Sequence, residues 1–524
     1  MSGASQTFRE NEIFFTGAGG FLGKVVLALL LDRYPQFKHL HVLLRPANGL
    51  SAQDRFYDEI LASPPLRSIA VRAGKSLVMT RVSVWPGDIA SPQCGLPPDV
   101  PEHLAGRVGL VINCAGKVDF LPPLDDSFRS NVDGVENIVA LTRELGAKLL
   151  HVSTCYVCGE ADGLVEETEP IIGFYPQRRS MEDHGFNHAE ELVHVREIVR
   201  QVYESTRKDT EVDASRRPRE LVQRLIALGR QRAVNWGWVN TYTYAKSLGE
   251  QIIASTKGLA YAIVRPAIVE SAWQFPFPGW IEGGRTAAPL VLMALDGLKD
   301  WPVREDVPLE VVPVDMAAAA ILIVAALLLE GRHEPVYQLG SADTHPIELG
   351  SIVNLLHEEA TKRTNNGGGP VGSFLANWLA GRRVSTRAHF LSLEEAQQRQ
   401  HRSQQTIARN ERWAARLKRA MERTRLPGGS WLDRQTAELR KLDLQARFRG
   451  QTLAQYLPFV LQNRYLFESE NIRLAYSALS ELDRELLPWA PERINWRDYW
   501  VHNQIAGIEK WVQPEAVRDW QFRI

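Results

Sequence analysis

Short β-rich runs alternate with longer helical patterns over roughly the first 360 residues of the chain. This rhythm of strand, helix and strand is typical of an α/β fold with a mostly parallel, doubly wound sheet. The predicted helices include Lys24–Arg33, Val132–Leu145 and Lys246–Ala254. The predicted strands are Ile13–Thr16, Leu40–Leu44, Val78–Val84, Gly109–Asn113, Leu149–Ser153 and Tyr261–Val264.

Two interruptions divide this pattern. The charged, helix-forming stretch 159–236 predicts a helical insertion, and the Gly/Asn cluster 364–369 followed by Pro370 predicts a linker. We therefore expect a first domain of residues 1–363 and a second, mainly helical domain of residues 371–524. The longest apolar run, Met316–Leu329, is too short to span a bilayer and predicts a buried helix with Asp315 as its N-cap.

Composition narrows the class of protein. Of the 524 residues, 44% are hydrophobic and 23% are charged, as in an ordinary globular protein, and the net charge of −1 gives no general attraction to nucleic acid. The four cysteines, Cys94, Cys114, Cys155 and Cys158, are too few for a disulfide scaffold and fit a reducing compartment. The first residues lack the basic and apolar regions of a signal peptide, so we expect a cytoplasmic protein.

One segment departs from this neutral balance. Residues 382–425 contain 12 Lys or Arg and four Asp or Glu, which is a local excess of eight positive charges. This excess indicates either a dock for phosphate groups or peripheral contact with an anionic membrane surface. A solvated helix face is the alternative. Binding of nucleic acid is not expected, because no recognised module accompanies the charge.

A glycine-rich turn follows the first strand directly. The segment TGAGGFLGK has the spacing G-x-x-G-x-x-G and opens the first long helix. Glycine is needed there because the turn is tight and the backbone must approach a pyrophosphate at the helix N-terminus. The placement predicts a Rossmann-type dinucleotide site. Its candidate contacts are Thr16, Gly17, Gly19, Gly20, Phe21, Leu22 and Gly23.

Residues after the later strands refine the cofactor. Arg45, after the second strand, suits the 2′-phosphate of NADPH better than the free ribose of NADH, which usually pairs with an acid; a solvated surface arginine is the alternative. Asp88 is either an adenine contact or a simple turn residue. Further candidate contacts at the ends of strands are Ile89, Ala115, Pro266 and Ile268.

Candidate acid–base chemistry lies in two segments. Thr154 ends the fifth strand, and Tyr242 precedes Lys246 by four residues, so both side chains share one helix face. We expect the Lys246 ammonium to lower the pKa of Tyr242, which then gives a proton to a developing alkoxide while Thr154 hydrogen-bonds the same oxygen. An exposed helix pair is the alternative. Tyr244 is a weaker candidate because its i+4 neighbour is Leu248.

Two further residues near these segments have less defined roles. Lys246 is also expected to reach the nicotinamide ribose. Asn131 either holds Lys246 through a water molecule or acts as a helix N-cap, and the N-cap is the favoured interpretation. The C-x-x-C pattern of Cys155 and Cys158 lacks a second pair, so we expect buried thiols and no metal site.

Several segments resemble the fatty acyl-CoA reductases, a family of extended short-chain dehydrogenase/reductases, and especially their bacterial alcohol-forming members. They are TGAGGFLGKVV, VSTCYV, NWGWVNTYTYAKSLGEQ, IVRPAIVESAWQFPFPGWIEG, VVPVDMAAAAI and, in the C-terminal part, SALSELDRELLPWAPERINWRDYW. The similarity is poor over residues 371–440. Cys158 also departs from the family, in which a small polar residue is more usual at that position.

The resemblance implies NADPH as cofactor, with long-chain acyl-CoA and fatty aldehyde as substrates reduced in two steps to a primary alcohol. Tyr242 lies 88 positions after Thr154, and the long segment between them would then hold a lid over the acyl chain. The basic segment would bind CoA phosphates or a membrane. The alternatives are aldehyde release, a carrier-linked thioester substrate, another carbonyl or sugar-nucleotide substrate, or a non-catalytic scaffold. The tryptophans flanking the catalytic segments either line an acyl tunnel or pack in the core: Trp236, Trp238, Trp273 and Trp280.

Overall fold

The computed structural model describes residues 3–178, 185–209, 219–284, 286–366, 388–424 and 449–513, with residues 434, 436, 437, 440 and 447. The chain forms two compact units. The sheet unit comprises Met1–Thr286, Glu310–Pro346 and Tyr465–Ile524, and the second unit comprises Ala287–Leu309 and Ile347–Arg464. The expected division into 1–363 and 371–524 differs from this one, because residues from 465 onward belong to the sheet unit.

The strands are short, and seven of them form the central sheet. They are β1 Glu12–Thr16, β2 His39–Leu44, β3 Val82–Pro86, β4 Val108–Asn113, β5 Lys148–Val152, β6 Asp162–Val165, β7 Tyr261–Pro266, β8 Ile268–Glu270, β9 Asp300–Trp301, β10 Val311–Pro313, β11 Val336–Leu339, β12 His389–Phe390 and β13 Arg464–Phe467. The central sheet has the order β3-β2-β1-β4-β5-β7-β11, and all its strands are parallel. The strand order reverses direction between β1 and β4, which creates the crevice where this fold class binds dinucleotides.

Helices cover the sheet and fill the second unit. They are α1 Ala4–Glu10, α2 Phe21–Arg33, α3 Ala52–Arg55, α4 Pro64–Arg81, α5 Val100–Leu104, α6 Leu124–Phe128, α7 Gly134–Leu145, α8 His188–Asp209, α9 Arg219–Trp236, α10 Thr241–Ser255, α11 Ala288–Leu295, α12 Val314–Glu330, α13 Leu349–Asn366, α14 Leu393–Thr424, α15 Glu470–Ser477, α16 Glu481–Leu486 and α17 Trp496–Asp498. Shorter helical turns include Phe56–Ile60, Pro92–Gly95, Arg129–Asp133, Cys155–Cys158, Pro458–Gln462, Pro491–Arg493, Tyr499–Ile505 and Ile508–Val512. The expected α/β class with a doubly wound parallel sheet is confirmed.

Some predicted elements differ from the structure in their bounds. The third strand begins at Val82 and not at Val78, because α4 continues to Arg81. Strand β11, only four residues long, was not predicted. The expected linker at 364–369 is partly wrong, since 364–366 are the last turn of α13; its remaining residues lie outside the described part of the chain.

Helix α12 is apolar all round because it is enclosed by protein on every side. Residues 314–328 of this helix are all buried, and the helix packs against α2 and α1 on one face of the sheet. Asp315 was the predicted N-cap of this helix, but Pro313 holds that position. The Asp315 carboxylate instead accepts three backbone N–H groups, from Trp273, Gln274 and Phe275, at 2.8 to 2.9 Å. The described helices include none long and apolar enough to cross a membrane.

The predicted insertion contains α8 and α9 together with strand β6, which pairs with β13. Its apolar side chains pack with those of α10 in one buried cluster, which includes Leu192, Ala233, Trp238, Tyr244 and Leu248. The insertion therefore supports the helix that carries the predicted Tyr/Lys pair.

Candidate active site

The glycine-rich turn between β1 and α2 forms a cradle that admits no side chains at two positions. Gly17 has a φ of +83°, and a Cβ there would lie 2.6 Å from the backbone carbon of Cys114. A Cβ on Gly23 would lie 2.0 Å from the Gly17 carbonyl oxygen. A Cβ on Gly20, the N-cap of α2, would lie 3.5 Å from its nearest neighbour, the Gly17 carbonyl oxygen. This close-packed turn at the start of a 13-residue helix fits a pyrophosphate.

A hydrogen-bonded chain behind the turn fixes the ends of β1 and β4. The Thr16 hydroxyl donates to the Asn113 side-chain oxygen at 2.7 Å, and the Ala115 N–H donates to the same oxygen at 3.3 Å. The Asn113 amide in turn contacts His151 Nδ1 at 3.1 Å. Ala115 also lies against Gly17. Thr16 and Ala115, both predicted cofactor contacts, are therefore brought to the glycine turn.

The predicted adenosine end is open to solvent. Arg45 is 69% exposed, and its guanidinium lies 3.7 Å from the Asp88 carboxylate. The other Asp88 oxygen accepts the Ala90 N–H at 3.0 Å, which is the turn role weighed for this residue. Ile89 is buried and lies against Gly134 of α7. Arg45 and Asp88 are thus brought together after β2 and β3.

Arg55, at the end of α3, is a site residue that the sequence reasoning missed. Its guanidinium donates to the Arg45 carbonyl and to Glu59, both at 2.8 Å. One of its nitrogens lies 3.6 Å from where a Cβ on Gly19 would be. Its position ten residues after Arg45, in a short helix, was the available signal.

The predicted proton donor is buried beside its predicted partner. Tyr242 lies in the first turn of α10 and is 7% exposed, and Thr154 is near enough to its hydroxyl to favour the ionised form. Thr154 follows β5, and its hydroxyl also lies 3.4 Å from the Pro266 carbonyl oxygen. Helix α10 begins where it does because the Asn240 side chain accepts the Thr243 N–H at 2.9 Å. The sequence-predicted pair of hydroxyls therefore meets at the carboxyl end of the sheet.

Lys246 lies one turn further along α10, where it is 4% exposed. Its ammonium donates to the Val152 carbonyl at 2.8 Å, and burial lowers its pKa to about 8. The pKa of Tyr242 is raised, because burial outweighs the opposing effect of the nearby Thr154 hydroxyl. The expected lowering of the Tyr242 pKa by Lys246 is therefore wrong, since the ammonium engages the end of β5 instead.

Tyr244 has a structural role that separates it from Tyr242. Its hydroxyl donates to Glu191 of α8, and the same carboxylate accepts from Arg232 at 2.5 and 2.7 Å and from Trp236 at 3.2 Å. Tyr244 thus anchors the insertion to α10, on the side of the helix away from Thr154.

Asn131 does not cap a helix, contrary to the favoured interpretation. It lies within the π-helical turn Arg129–Asp133, inside a continuous helical run from α6 to α7. Its side chain accepts the Lys117 N–H at 3.1 Å and donates to the Lys117 carbonyl at 3.0 Å. A Cβ on Gly116 would lie 3.0 Å from the Asn131 oxygen and 3.2 Å from the Lys246 nitrogen, so both residues border one small space.

The other residues predicted to contact the cofactor have the following positions. Phe21 packs on Trp280, with ring centroids 5.0 Å apart, and Leu22 lies in the first turn of α2. Ile268 belongs to β8, where its N–H donates to the Glu310 carbonyl at 3.1 Å, one strand beyond the site. The four cysteines are free, and the described residues contain no group of side chains suited to a metal ion.

Two of the four candidate tunnel tryptophans, Trp238 and Trp280, are buried. The indole of Trp238 donates to the Val157 carbonyl at 2.9 Å, and Trp280 packs on Phe21. Core packing accounts for both.

Taken together, a dinucleotide cradle at the switch point and a Thr/Tyr/Lys set at the ends of β5 and α10 define a nicotinamide-dependent oxidoreductase of the short-chain dehydrogenase/reductase type. The comparisons with known proteins narrow this class. The NAD-binding family described as "Male sterility protein" matches residues 15–321. The chain belongs to the fatty acyl-CoA reductase family.

Two plant relatives illustrate the match. Probable fatty acyl-CoA reductase 4 of Arabidopsis thaliana is 31% identical over 372 residues, which cover 69% of this chain and 73% of the relative. The alcohol-forming fatty acyl-CoA reductase of Simmondsia chinensis is 28% identical over 371 residues, with the same coverage. A solved structure, the reductase domain of a non-ribosomal peptide synthetase from Mycobacterium tuberculosis, has a TM-score of 0.52 at 17% identity. It covers 98% of this chain and 95% of its own, and it supports the fold alone.

Proposed function

We propose that this protein uses NADPH to reduce long-chain fatty acyl-CoA to the aldehyde and then to the primary alcohol. The observation that carries the proposal is the burial of Tyr242, Thr154 and Lys246 together beside the glycine cradle, in a chain of this family. Both reductions develop negative charge on the former carbonyl oxygen, which the hydroxyls of Tyr242 and Thr154 would stabilise.

The chain's own groups would divide the work as follows. Tyr242, with its raised pKa, stays protonated at neutral pH and gives its proton to the developing alkoxide. Thr154 donates a second hydrogen bond to the same oxygen and so orients the carbonyl. Lys246, whose pKa is about 8, is mostly cationic at neutral pH and favours negative charge nearby. When bound, the nicotinamide supplies the hydride.

NADPH is preferred in this proposal because two arginines lie after β2. Arg55 is held by Glu59 and by the Arg45 carbonyl, so its guanidinium is pre-positioned. Arg45 reaches into solvent beside Asp88. Guanidinium groups bind phosphate through short, charge-assisted hydrogen bonds, which a free ribose hydroxyl cannot match.

The test is incubation of the purified chain with NADPH and palmitoyl-CoA, followed by mass spectrometry of the products and a count of NADPH consumed. We expect hexadecanol and two NADPH per acyl-CoA. Aldehyde with one NADPH would identify the two-electron variant. Absence of turnover with acyl-CoA, but turnover with a carrier-linked thioester or another carbonyl compound, would overturn the proposed substrate.

A further inference from the structure

Helix α14 of the second unit carries its arginines along one side. With about 100° per residue, the side chains of 402, 409, 412, 416 and 419 fall within an arc of about 120°. All five are exposed, and we call them the arginine face: Arg402, Arg409, Arg412, Arg416 and Arg419. Ile407 and Ala414, 2% and 6% exposed, lie on the opposite side, so the helix buries that side and exposes the arginine face.

Among the described residues, none of these arginines has a carboxylate partner. Arg412 and Arg419 donate only to carbonyl groups of their own helix, those of Ala408 at 3.2 Å and Ala415 at 3.3 Å. Between 402 and 420 the sequence has one acidic position, 411, which helical geometry places about 180° from position 402. Among the side chains that the structure describes on this helix, none neutralises the positive charge of the arginine face.

Helix α8 shows the ordinary alternative for an exposed, charged helix. Its Arg196 pairs with Asp133 and Glu136 at 2.6 to 2.7 Å, and its Arg200 pairs with Glu197 and Glu204 at 2.5 to 2.7 Å. Arg200 is thus paired with acids of its own helix and Arg196 with acids of a neighbouring segment, whereas α14 has one acidic position between 402 and 420. This contrast distinguishes the arginine face from a solvated salt-bridged surface.

A large aromatic side chain lies at the edge of the same face. Trp413 is 61% exposed, and its position is four residues after Arg409 and three before Arg416, so it neighbours both on the helix surface. An indole that is exposed to water gains no free energy from burial of its apolar ring, whereas an indole at the level of lipid headgroups does. Arginines beside an outward-facing Trp are the composition of a helix that lies on an anionic membrane.

The length of the arginine face shows whether its ligand is a membrane surface or the phosphates of one CoA molecule. Arg402 and Arg419 are 17 residues apart, which is about 26 Å along the helix axis. A single compact ligand cannot contact a straight row of that length, but a flat surface can. We propose that the arginine face and Trp413 dock the protein on a bilayer of anionic phospholipid. The proposal rests on the proposed function in one respect, that an acyl substrate and an alcohol product reside in lipid.

The experiment is flotation of the full chain with vesicles of phosphatidylcholine, with and without 30% phosphatidylglycerol, at low and high salt. We expect binding only to the anionic vesicles, and less of it at high salt. Arg409→Gln with Arg416→Gln should lower the vesicle partition coefficient about thirtyfold, at roughly tenfold per 1.4 kcal/mol and about 1 kcal/mol per basic residue. Trp413→Ala should lower it as well.

The matched control is Arg196→Gln with Arg200→Gln, which removes the same charge from α8 and should leave vesicle binding unchanged. Equal loss in both pairs, or no binding of the wild-type chain to anionic vesicles, would overturn the proposal. So would unchanged vesicle binding with a raised KM for acyl-CoA, or tighter binding of an oligonucleotide than of vesicles through the same arginines. Because flotation needs no turnover, a failed activity assay beside normal flotation would count against the proposed function alone.

Discussion

Replacing Tyr242 with Phe removes one hydroxyl from the candidate site and leaves the buried ring in place. The ring is 7% exposed, and its packing near Phe120 does not involve the hydroxyl. Loss of the polar contact between the Tyr242 hydroxyl and Thr154 costs at most about 1 kcal/mol of unfolding free energy. Loss of a positioned proton donor costs about two to four orders of magnitude in rate, or roughly 3 to 5 kcal/mol in the barrier. We therefore expect kcat/KM to collapse while stability changes little.

The assay measures NADPH oxidation with palmitoyl-CoA, NADPH binding by fluorescence, and unfolding by denaturant. Tyr244→Phe is the matched control, because it removes the same atom two residues away. That hydroxyl donates to Glu191, a carboxylate that is 4% exposed, so its removal should cost about 1 to 3 kcal/mol of unfolding free energy. We expect this variant to keep kcat/KM near the wild-type value, which is the reverse of the pattern for Tyr242→Phe.

Two results would refute the reasoning. If Tyr242→Phe keeps kcat/KM within about tenfold of wild type, the proton comes from another group. If Tyr244→Phe loses as much activity as Tyr242→Phe, the loss reflects disturbed packing of α10 and not a missing proton donor.

Three further predictions concern the arginines after β2, the protonation of Lys246 and the glycine turn. Arg45→Ala and Arg55→Ala should each raise the KM for NADPH by about 10- to 100-fold and leave NADH use nearly unchanged, as measured by steady-state kinetics with both cofactors; equal losses would remove the 2′-phosphate role. The Lys246 ammonium loses its proton as pH rises through about 8, while Tyr242 stays protonated, so kcat/KM should fall above that pH; a pH profile flat to pH 10 would contradict this assignment. Gly23→Ala places a Cβ 2.0 Å from a backbone oxygen and should abolish NADPH binding and lower the melting temperature, whereas Gly20→Ala, with 3.5 Å of room, should keep the melting temperature; similar melting temperatures would argue against the cradle.

The parts of the fold that follow from local pattern were predictable. Strand β1, the glycine turn and α2 occur in one continuous segment, so spacing alone identifies them. The spacing of Tyr242 and Lys246 likewise predicts a shared helix face. Their burial and the distance from Lys246 to Val152 depend on the packing of β5 against α10, which no local pattern encodes.

Long-range contacts account for most of what was missed. Arg55 becomes a site residue only because α3 folds back against Gly19 and Arg45. Asn131 was interpreted as an N-cap because it directly precedes the predicted helix Val132–Leu145, yet the helix continues through it as a π-helical turn. The division of the chain was also hidden, since the residues that complete the sheet unit lie more than 100 positions after β11.

That separation has a consequence for synthesis. Two buried carboxylates of the sheet unit, Glu310 and Glu167, accept backbone N–H groups of Phe467 and Asn471 at 2.8 Å. Until residues up to 471 leave the ribosome, each of these acids lacks one of its backbone partners, and β6 lacks its pairing strand β13. At about 5 to 20 residues per second, roughly 6 to 26 seconds pass between the synthesis of β11 and that of these residues. The nucleotide-binding half therefore emerges first but is completed last, and chaperones would meet it in that interval.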